Sequence, residues 1–284
     1  MHMKNQNGMT LVEILVGLVI GLLIIAIALT SLQVSQFVST TVSESVSLRQ
    51  DANTALRIIG LQIRQTGSIA LNIQAALGNG LEPEAMRPVI FEPVLNSDGK
   101  ASAVSESLSA VGSPSVSKSV GNALQIQYEH FIESLLANSA KPSMDSAFRD
   151  CLGQNKSNRL LSSNITSTFF LRDGNLMCTG VAGTPQPIIS NVKDFALRLL
   201  LRIPGAAADA EPHFQYVTPA DLNRTPQQWR MVSAVEVCLE LESLSTKTPN
   251  VSANFHKCDG QTQAKGDRLV VLTRQLFNIR STGE

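Results

Sequence analysis

Charge and aromatic rings are both in short supply in this chain of 284 residues. Charged side chains make up 16% of it, against roughly 25% in an average soluble protein. Lysine plus arginine and aspartate plus glutamate are equal at 23 each. That balance removes the bulk electrostatic case for nucleic acid or an acidic membrane surface as partner. Aromatics are 5%, with Trp229 the one tryptophan, yet the hydrophobic content of 43% still suffices for one globular core. The length fits one or two domains. Catalytic signatures are missing as well: there is no G-x-S-x-G, no H-E-x-x-H and no Walker A loop. His2, His130, His213 and His256 stand apart, and no carboxylate spacing marks an acid–base pair. Neither an enzymatic role nor a cofactor is expected.

The most informative absence is local. No charge occurs between Glu13 and Glu44. Gly8-Met9-Thr10-Leu11-Val12-Glu13 leads into an apolar run from Ile14 to Leu29, and a helix crosses the hydrocarbon core of a bilayer with roughly 20 apolar residues. The run is longer than the core of a cleavable secretory signal, and no A-x-A cut site follows it. A plain single-pass anchor would leave Glu13 unexplained, because a carboxylate in lipid costs on the order of 2.5 kcal/mol and needs a partner. Lys4 precedes the run and places that side in the cytoplasm, so the bulk of the chain is expected outside it. Gly17 and Gly21 have a small-xxx-small spacing that permits close helix contact, although glycine is also simply commoner in membrane helices.

A short polar leader, a terminal Gly, then Met-Thr-Leu-Val-Glu and an apolar helix together resemble the class III signal segment of type IV pilins and pseudopilins. The resemblance implies that a prepilin peptidase cuts between Gly8 and Met9 and methylates the new N-terminus. It also implies that Glu13, then the fifth mature residue, pairs with the amino group of a neighbouring subunit. Many family members begin the mature chain with Phe, where this one has Met9.

The helical pattern continues beyond the apolar run. Leu48, Ala52, Leu56, Ile59 and Ile63 form one stripe at helical period, with Gly67 as a stop signal. Ser39-Thr40-Thr41 is a stretch of lower helix propensity. A continuous helix over residues 10–66 would be about 85 Å long at 1.5 Å per residue, with about 10–32 in the membrane and the second half needing a sheet to cover it. Residues 70–96 read as loop with one short strand near Val89-Ile90-Phe91, and the Ser-rich stretch 100–122 as a flexible surface insertion. Strand patterns follow at Leu124-Gln125-Ile126-Gln127-Tyr128 and at 165–171. A D-G turn at Asp173-Gly174 leads into Leu176-Met177-Cys178. Further strands are read at 195–203, 231–242 and, with less distinct faces, 268–280. Clean alternation predicts an antiparallel sheet with one face covered.

Cys151, Cys178, Cys238 and Cys258 contain no CxxC pair, and their spacings do not suit zinc, even with His256 near Cys258. An even count beyond an export segment favours disulfides in an oxidising compartment. Three pairings are possible. Sequence proximity favours Cys151–Cys178 and Cys238–Cys258, with Cys238 on the polar face of its strand, where a surface loop carrying Cys258 could reach it. A loop of that size contributes roughly 3–4 kcal/mol when unstrained.

Asp150-Cys151-Leu152-Gly153-Gln154, Leu176-Met177-Cys178, Gln186-Pro187-Ile188-Ile189, Asn191-Val192, the long strand after Trp229 and the terminal Phe277-Asn278-Ile279-Arg280 add a second resemblance, to PilW-type minor pilins. It implies an α+β, pilin-like fold: leader 1–8, N-terminal helix 9–66, and an extracytoplasmic β-rich domain 67–284. The implied protein is a minor pilin held in the inner membrane, with its C-terminal domain in the periplasm, and then built into a type IV pilus at the cell surface. It would act in an initiation or tip complex that supports motility, adhesion or DNA uptake. The implied partners are the prepilin peptidase, the major pilin, other minor pilins and a large tip adhesin. A minor pseudopilin of a type II secretion system shares the leader and helix and is the second reading. A pilus-borne DNA-binding module, using Arg198 and Arg202 on one strand face, is the third.

Overall fold

The computed structural model describes residues 10–66, 68–70, 89–91, 108–112, 122–129, 133–135, 143–145, 148–155, 164–205, 211–219, 221, 231–247, 254–264 and 266–279. The chain divides into two compact units, Met1–Ser47 and Leu48–Glu284, and one helix, α1 (Leu11–Gln65), contributes to both. The predicted stop at Gly67 lies outside the described residues.

In the first unit the large apolar side chains of α1, from Leu11 to Val46, are all exposed. Its most apolar 18-residue window has a mean hydropathy of 3.0 and is 0% buried. By length and composition this helix can cross a membrane. Ser39-Thr40-Thr41 does not interrupt it. The hydroxyls of Thr40 and Thr41 each donate to the Phe37 carbonyl at 2.9 Å, a back-bond that satisfies the side chains within the helix.

The second unit begins where α1 acquires a buried face. Leu48, Ala52, Ala55, Leu56, Ile59, Gly60, Gln62 and Ile63 are buried, which covers the predicted stripe. A Leu or Ile side chain taken out of water contributes about 1.5–3 kcal/mol, so the stripe is the main hold on this half of α1. At Gly60 an added Cβ would collide with the ring of Phe277, so the missing side chain is what lets the strand carrying Phe277 approach.

Two antiparallel sheets share that core. The first has the order β11 (His213–Val217), β10 (Val192–Ile203), β12 (Val232–Lys247), β15 (Arg268–Asn278). Phe195, Leu197 and Leu199 of β10 lie opposite Leu239, Val237 and Val235 of β12, and all six are buried. Period-two alternation puts them on one face. The second sheet has the order β3 (Leu108–Gly112), β4 (Asn122–Glu129), β7 (Asn164–Arg172), β8 (Asn175–Thr179), β9 (Pro185–Ile189). Between β7 and β8 the pairing of Arg172 with Asn175 leaves a two-residue loop. Asp173 (φ 50°) and Gly174 (φ 73°) are both left-handed there, as a tight hairpin turn requires.

Three two-stranded ribbons complete the described strands: β1 (Ser68–Ala70) with β2 (Val89–Phe91), β5 (Glu133–Leu135) with β6 (Ser143–Asp145), and β13 (Asn254–His256) with β14 (Thr262–Ala264). The short strand predicted near residues 89–91 is therefore present. The insertion reading of 100–122 needs correction, because β3 lies inside it and pairs with β4. An edge strand needs only one partner, so a segment with a weak apolar pattern can still be held.

Candidate functional site

Two regions carry the residues singled out from the sequence. The first is the start of α1. Gly8 and Met9 lie outside the described residues, and description begins at Thr10. Thr10 directly precedes the helix, and its carbonyl accepts from Glu13 N–H at 3.0 Å and Ile14 N–H at 3.3 Å. Glu13 is exposed in the first turn. Thr10 and Glu13 thus have the spacing of a capping box, and a carboxylate at this end is favoured by the helix dipole. The threonine-to-glutamate spacing could have been read from the sequence as a helix start.

The second region is where the amphipathic half of α1 meets the five-stranded sheet. Its centre is Gln62, a buried amide on the helix. Gln62 Nε2 donates to the Arg149 carbonyl at 3.1 Å. Gln62 Oε1 accepts from Tyr128 Oη at 3.0 Å and from Ser167 Oγ at 2.9 Å. Tyr128 Oη is also 2.6 Å from the Arg149 carbonyl, and Ser167 Oγ accepts from Cys151 N–H at 3.1 Å. Helix, β4, β7 and the 148–155 loop are therefore joined through one side chain. Burial, and then the nearby Asp150 carboxylate, push the Tyr128 hydroxyl above its ordinary value, so it stays protonated into more alkaline solution than a free tyrosine.

That loop is braced twice more. Cys151 is bonded to Cys178 of β8, with Cα atoms 6.5 Å apart. Asp150 is almost fully buried. Its Oδ1 accepts from Leu152 and Gln154 N–H and its Oδ2 from Val181 N–H, each at 2.8 Å. Gly180 leaves room for this carboxylate, since an added Cβ would collide with it.

The second disulfide joins Cys238 of β12 to Cys258 in the turn between β13 and β14, with Cα atoms 5.7 Å apart. Both favoured pairings are thus present. Cys238 lies on the alternating polar face of β12, where the loop carrying Cys258 reaches it as expected, and that face is buried at this point. Cys238, Cys258 and Glu240 are all buried. Cys258 is committed to its disulfide, and His256 Nδ1 lies 3.2 Å from Thr262 Oγ1 across the hairpin, so the pair is not arranged as metal ligands. Among the described residues no cluster of His, Cys, Asp and Glu suited to a metal ion occurs. Arg198 does not stand as an open cation for DNA either: it is 3.5 Å from Glu236 and lies over the ring of Tyr216 at 4.6 Å.

Comparison with known proteins bears on the first region. Residues 3–29 match the family model of the prokaryotic N-terminal methylation motif. A type IV-like pilin from Thermus thermophilus is similar in structure at 15% identity and a TM-score of 0.30, over 60% of this chain and 82% of that one. No curated protein matches.

Proposed function

We propose that this type IV pilin-like chain is a structural minor pilin of a type IV pilus, most like the PilW type, acting in an initiation or tip complex. The observation that carries the proposal is the methylation motif over residues 3–29, which contains Gly8, Met9 and Glu13. On this reading the prepilin peptidase cuts after Gly8, and Met9 becomes a methylated N-terminus. The apolar part of α1 anchors the protein in the inner membrane with the second unit on the periplasmic side. The same helix later carries it into the filament beside the major pilin and other minor pilins, beneath a large tip adhesin. In a dry helix bundle a carboxylate and an amine attract far more strongly than in water, and leaving either unpaired is heavily penalised. Glu13 would therefore fix the axial register between neighbouring subunits.

Two measurements test this. Mass spectrometry of the mature protein should find a methylated Met9, whereas an intact leader in a host with the peptidase would overturn the processing step. Glu13→Leu should insert into the membrane normally and be missing from sheared filaments. Normal incorporation of that variant would sink the register role.

A further inference from the structure

The covered face of β12 holds a charged side chain that assembly through α1 does not use. Glu240 is fully buried, and neither carboxylate oxygen has a hydrogen-bond partner. Several charged groups face it. Asp194 lies directly opposite on β10, and Glu236 and Glu242 lie on the same face of β12. Arg268 and Arg274 come from β15, with Arg274 opposite Cys238. Lys257 comes from the β13–β14 hairpin and is 3.7 Å from Asp259. The register shift between Val192 and Asp194 inserts Lys193 as an extra residue, and a bulge of this kind re-aims a side chain. Lys193 Nζ consequently reaches Glu242 at 2.9 Å but Glu240 only at 3.8 Å. Glu240 is left with Asp194 opposite it, an ion pair to Lys193 and no hydrogen bond to either oxygen.

The hairpin lies outside the four-stranded sheet. Among the described residues its strands pair only with each other, and two of the contacts that hold it to the sheet are these. One is the Cys238–Cys258 bond. The other is Arg274, whose Nη2 donates to the carbonyl of Lys257 at 2.6 Å and lies 3.4 Å from that of Cys258. Cys238 is two residues from Glu240, on the same face of β12.

We propose that the Cys238–Cys258 disulfide is a redox latch: it holds the β13–β14 hairpin over Glu240 and keeps that carboxyl out of water, and its reduction by a dithiol frees the hairpin and opens the acidic face. The chemistry is thiol–disulfide exchange. Both cysteines are buried, so a dithiol thiolate attacks one sulfur when the hairpin opens locally, giving a mixed disulfide. The second thiol of the reagent then displaces it, leaving Cys238 and Cys258 as thiols and the reagent as a cyclic disulfide. The open state is favoured by hydration of Glu240, because an ionised carboxylate buried without hydrogen bonds is penalised even beside a cation 3.8 Å away. Burial raises the Glu240 carboxyl above its ordinary range while Lys193 and Lys257 oppose the shift, so the closed cover weakens as pH rises. The device is independent of the assembly role of α1.

The test uses the full chain in detergent micelles. Replacing both cysteines, Cys238→Ser with Cys258→Ser, removes the latch and leaves Cys151–Cys178 in place. Amides of residues 254–264 should then exchange about tenfold faster or more, while those of β10 and β12 keep their protection. Glu240→Gln should raise Tm in the disulfide-bonded protein and leave it unchanged in the serine pair. An unchanged hairpin exchange rate, or an equal Glu240→Gln gain in both backgrounds, would overturn the latch. The wild type gives a second test that needs no cysteine variant. Hairpin protection, corrected for intrinsic exchange, should fall from pH 5 to pH 8 and stay flat in Glu240→Gln. Protection independent of pH in the wild type would refute the proposal equally.

Discussion

Replacing Gln62 by Leu would remove the side chain through which α1, β4, β7 and the 148–155 loop are joined, at nearly constant volume. Three hydrogen bonds disappear with it, to the Arg149 carbonyl, Tyr128 Oη and Ser167 Oγ. Not all the partners lose equally. Tyr128 Oη keeps the Arg149 carbonyl at 2.6 Å, and Ser167 Oγ still accepts from Cys151 N–H. The one donor left without an acceptor among these contacts is the Ser167 hydroxyl, which is buried. Two exchanged bonds at about 0.5–1.5 kcal/mol each, and one orphaned hydroxyl at about 1–3 kcal/mol, give a loss of roughly 2–6 kcal/mol. The apolar gain of a buried Leu offsets part of this, so about 2–4 kcal/mol is expected. Urea denaturation of the detergent-solubilised chain, followed by tryptophan fluorescence, would read it as a lower midpoint at unchanged slope. Tyr128→Phe should cost only about 1 kcal/mol, because both of its acceptors retain Gln62 Nε2 or Ser167 as partner. The double variant should cost less than the sum. A Gln62→Leu loss under about 1 kcal/mol, or strict additivity with Tyr128→Phe, would show that the network does not seat the helix.

Other substitutions probe other joints. Gly60→Ala places a methyl group on the Phe277 ring and should cost about 1–3 kcal/mol by overpacking; Phe277→Leu should recover part of that loss in thermal denaturation. Asp150→Ala strips the acceptor from three backbone N–H groups and should lower stability by about 2–4 kcal/mol, with faster amide exchange at Leu152, Gln154 and Val181 as the local signature. Glu240 supplies a pH prediction. Because its carboxyl is raised in the folded protein, its contribution is fullest below the ordinary glutamate range and is lost as pH rises through the folded value. The Tm advantage of Glu240→Gln should therefore be larger at pH 8 than at pH 4, and parallel Tm curves would refute the assignment.

Features generated by strict periodicity were legible in the sequence. Leu124, Ile126 and Tyr128 alternate with Gln125 and Gln127, and the first three are buried. The stripe Leu48, Ala52, Leu56, Ile59 and Ile63 is the covered face of α1. Asp173-Gly174 is the tight turn its residue types suggest, since both positions need a positive φ. Features that depend on distant partners were not legible. Gln62 sits inside a helical pattern like any polar residue, and its meaning lies in Tyr128 and Ser167. Asp150 looked like part of a family motif rather than the acceptor that shapes its own loop. Cys238 occupies the alternating polar register of β12, where a loop carrying Cys258 is expected, but a strand pattern does not show that Cys238 and Glu240 are both buried there. The Lys193 bulge is likewise invisible, because it is a property of two strands and not of one.

The seating of α1 also has a consequence in time. Ser167 follows Gln62 by 105 residues. At synthesis rates of roughly 5–20 residues/s, the helix precedes that partner by about 5–20 s. Phe277, which fills the space at Gly60, arrives later still, on the last described strand. The β7–β8 hairpin closes locally in about 1–10 μs once made, so strand pairing there does not limit the process. During emergence the stripe from Leu48 to Ile63 is an apolar surface waiting for its own sheet. Whatever shields that stripe in the interval, a holdase or the bilayer surface, competes directly with the native packing and must release it when the last strand appears.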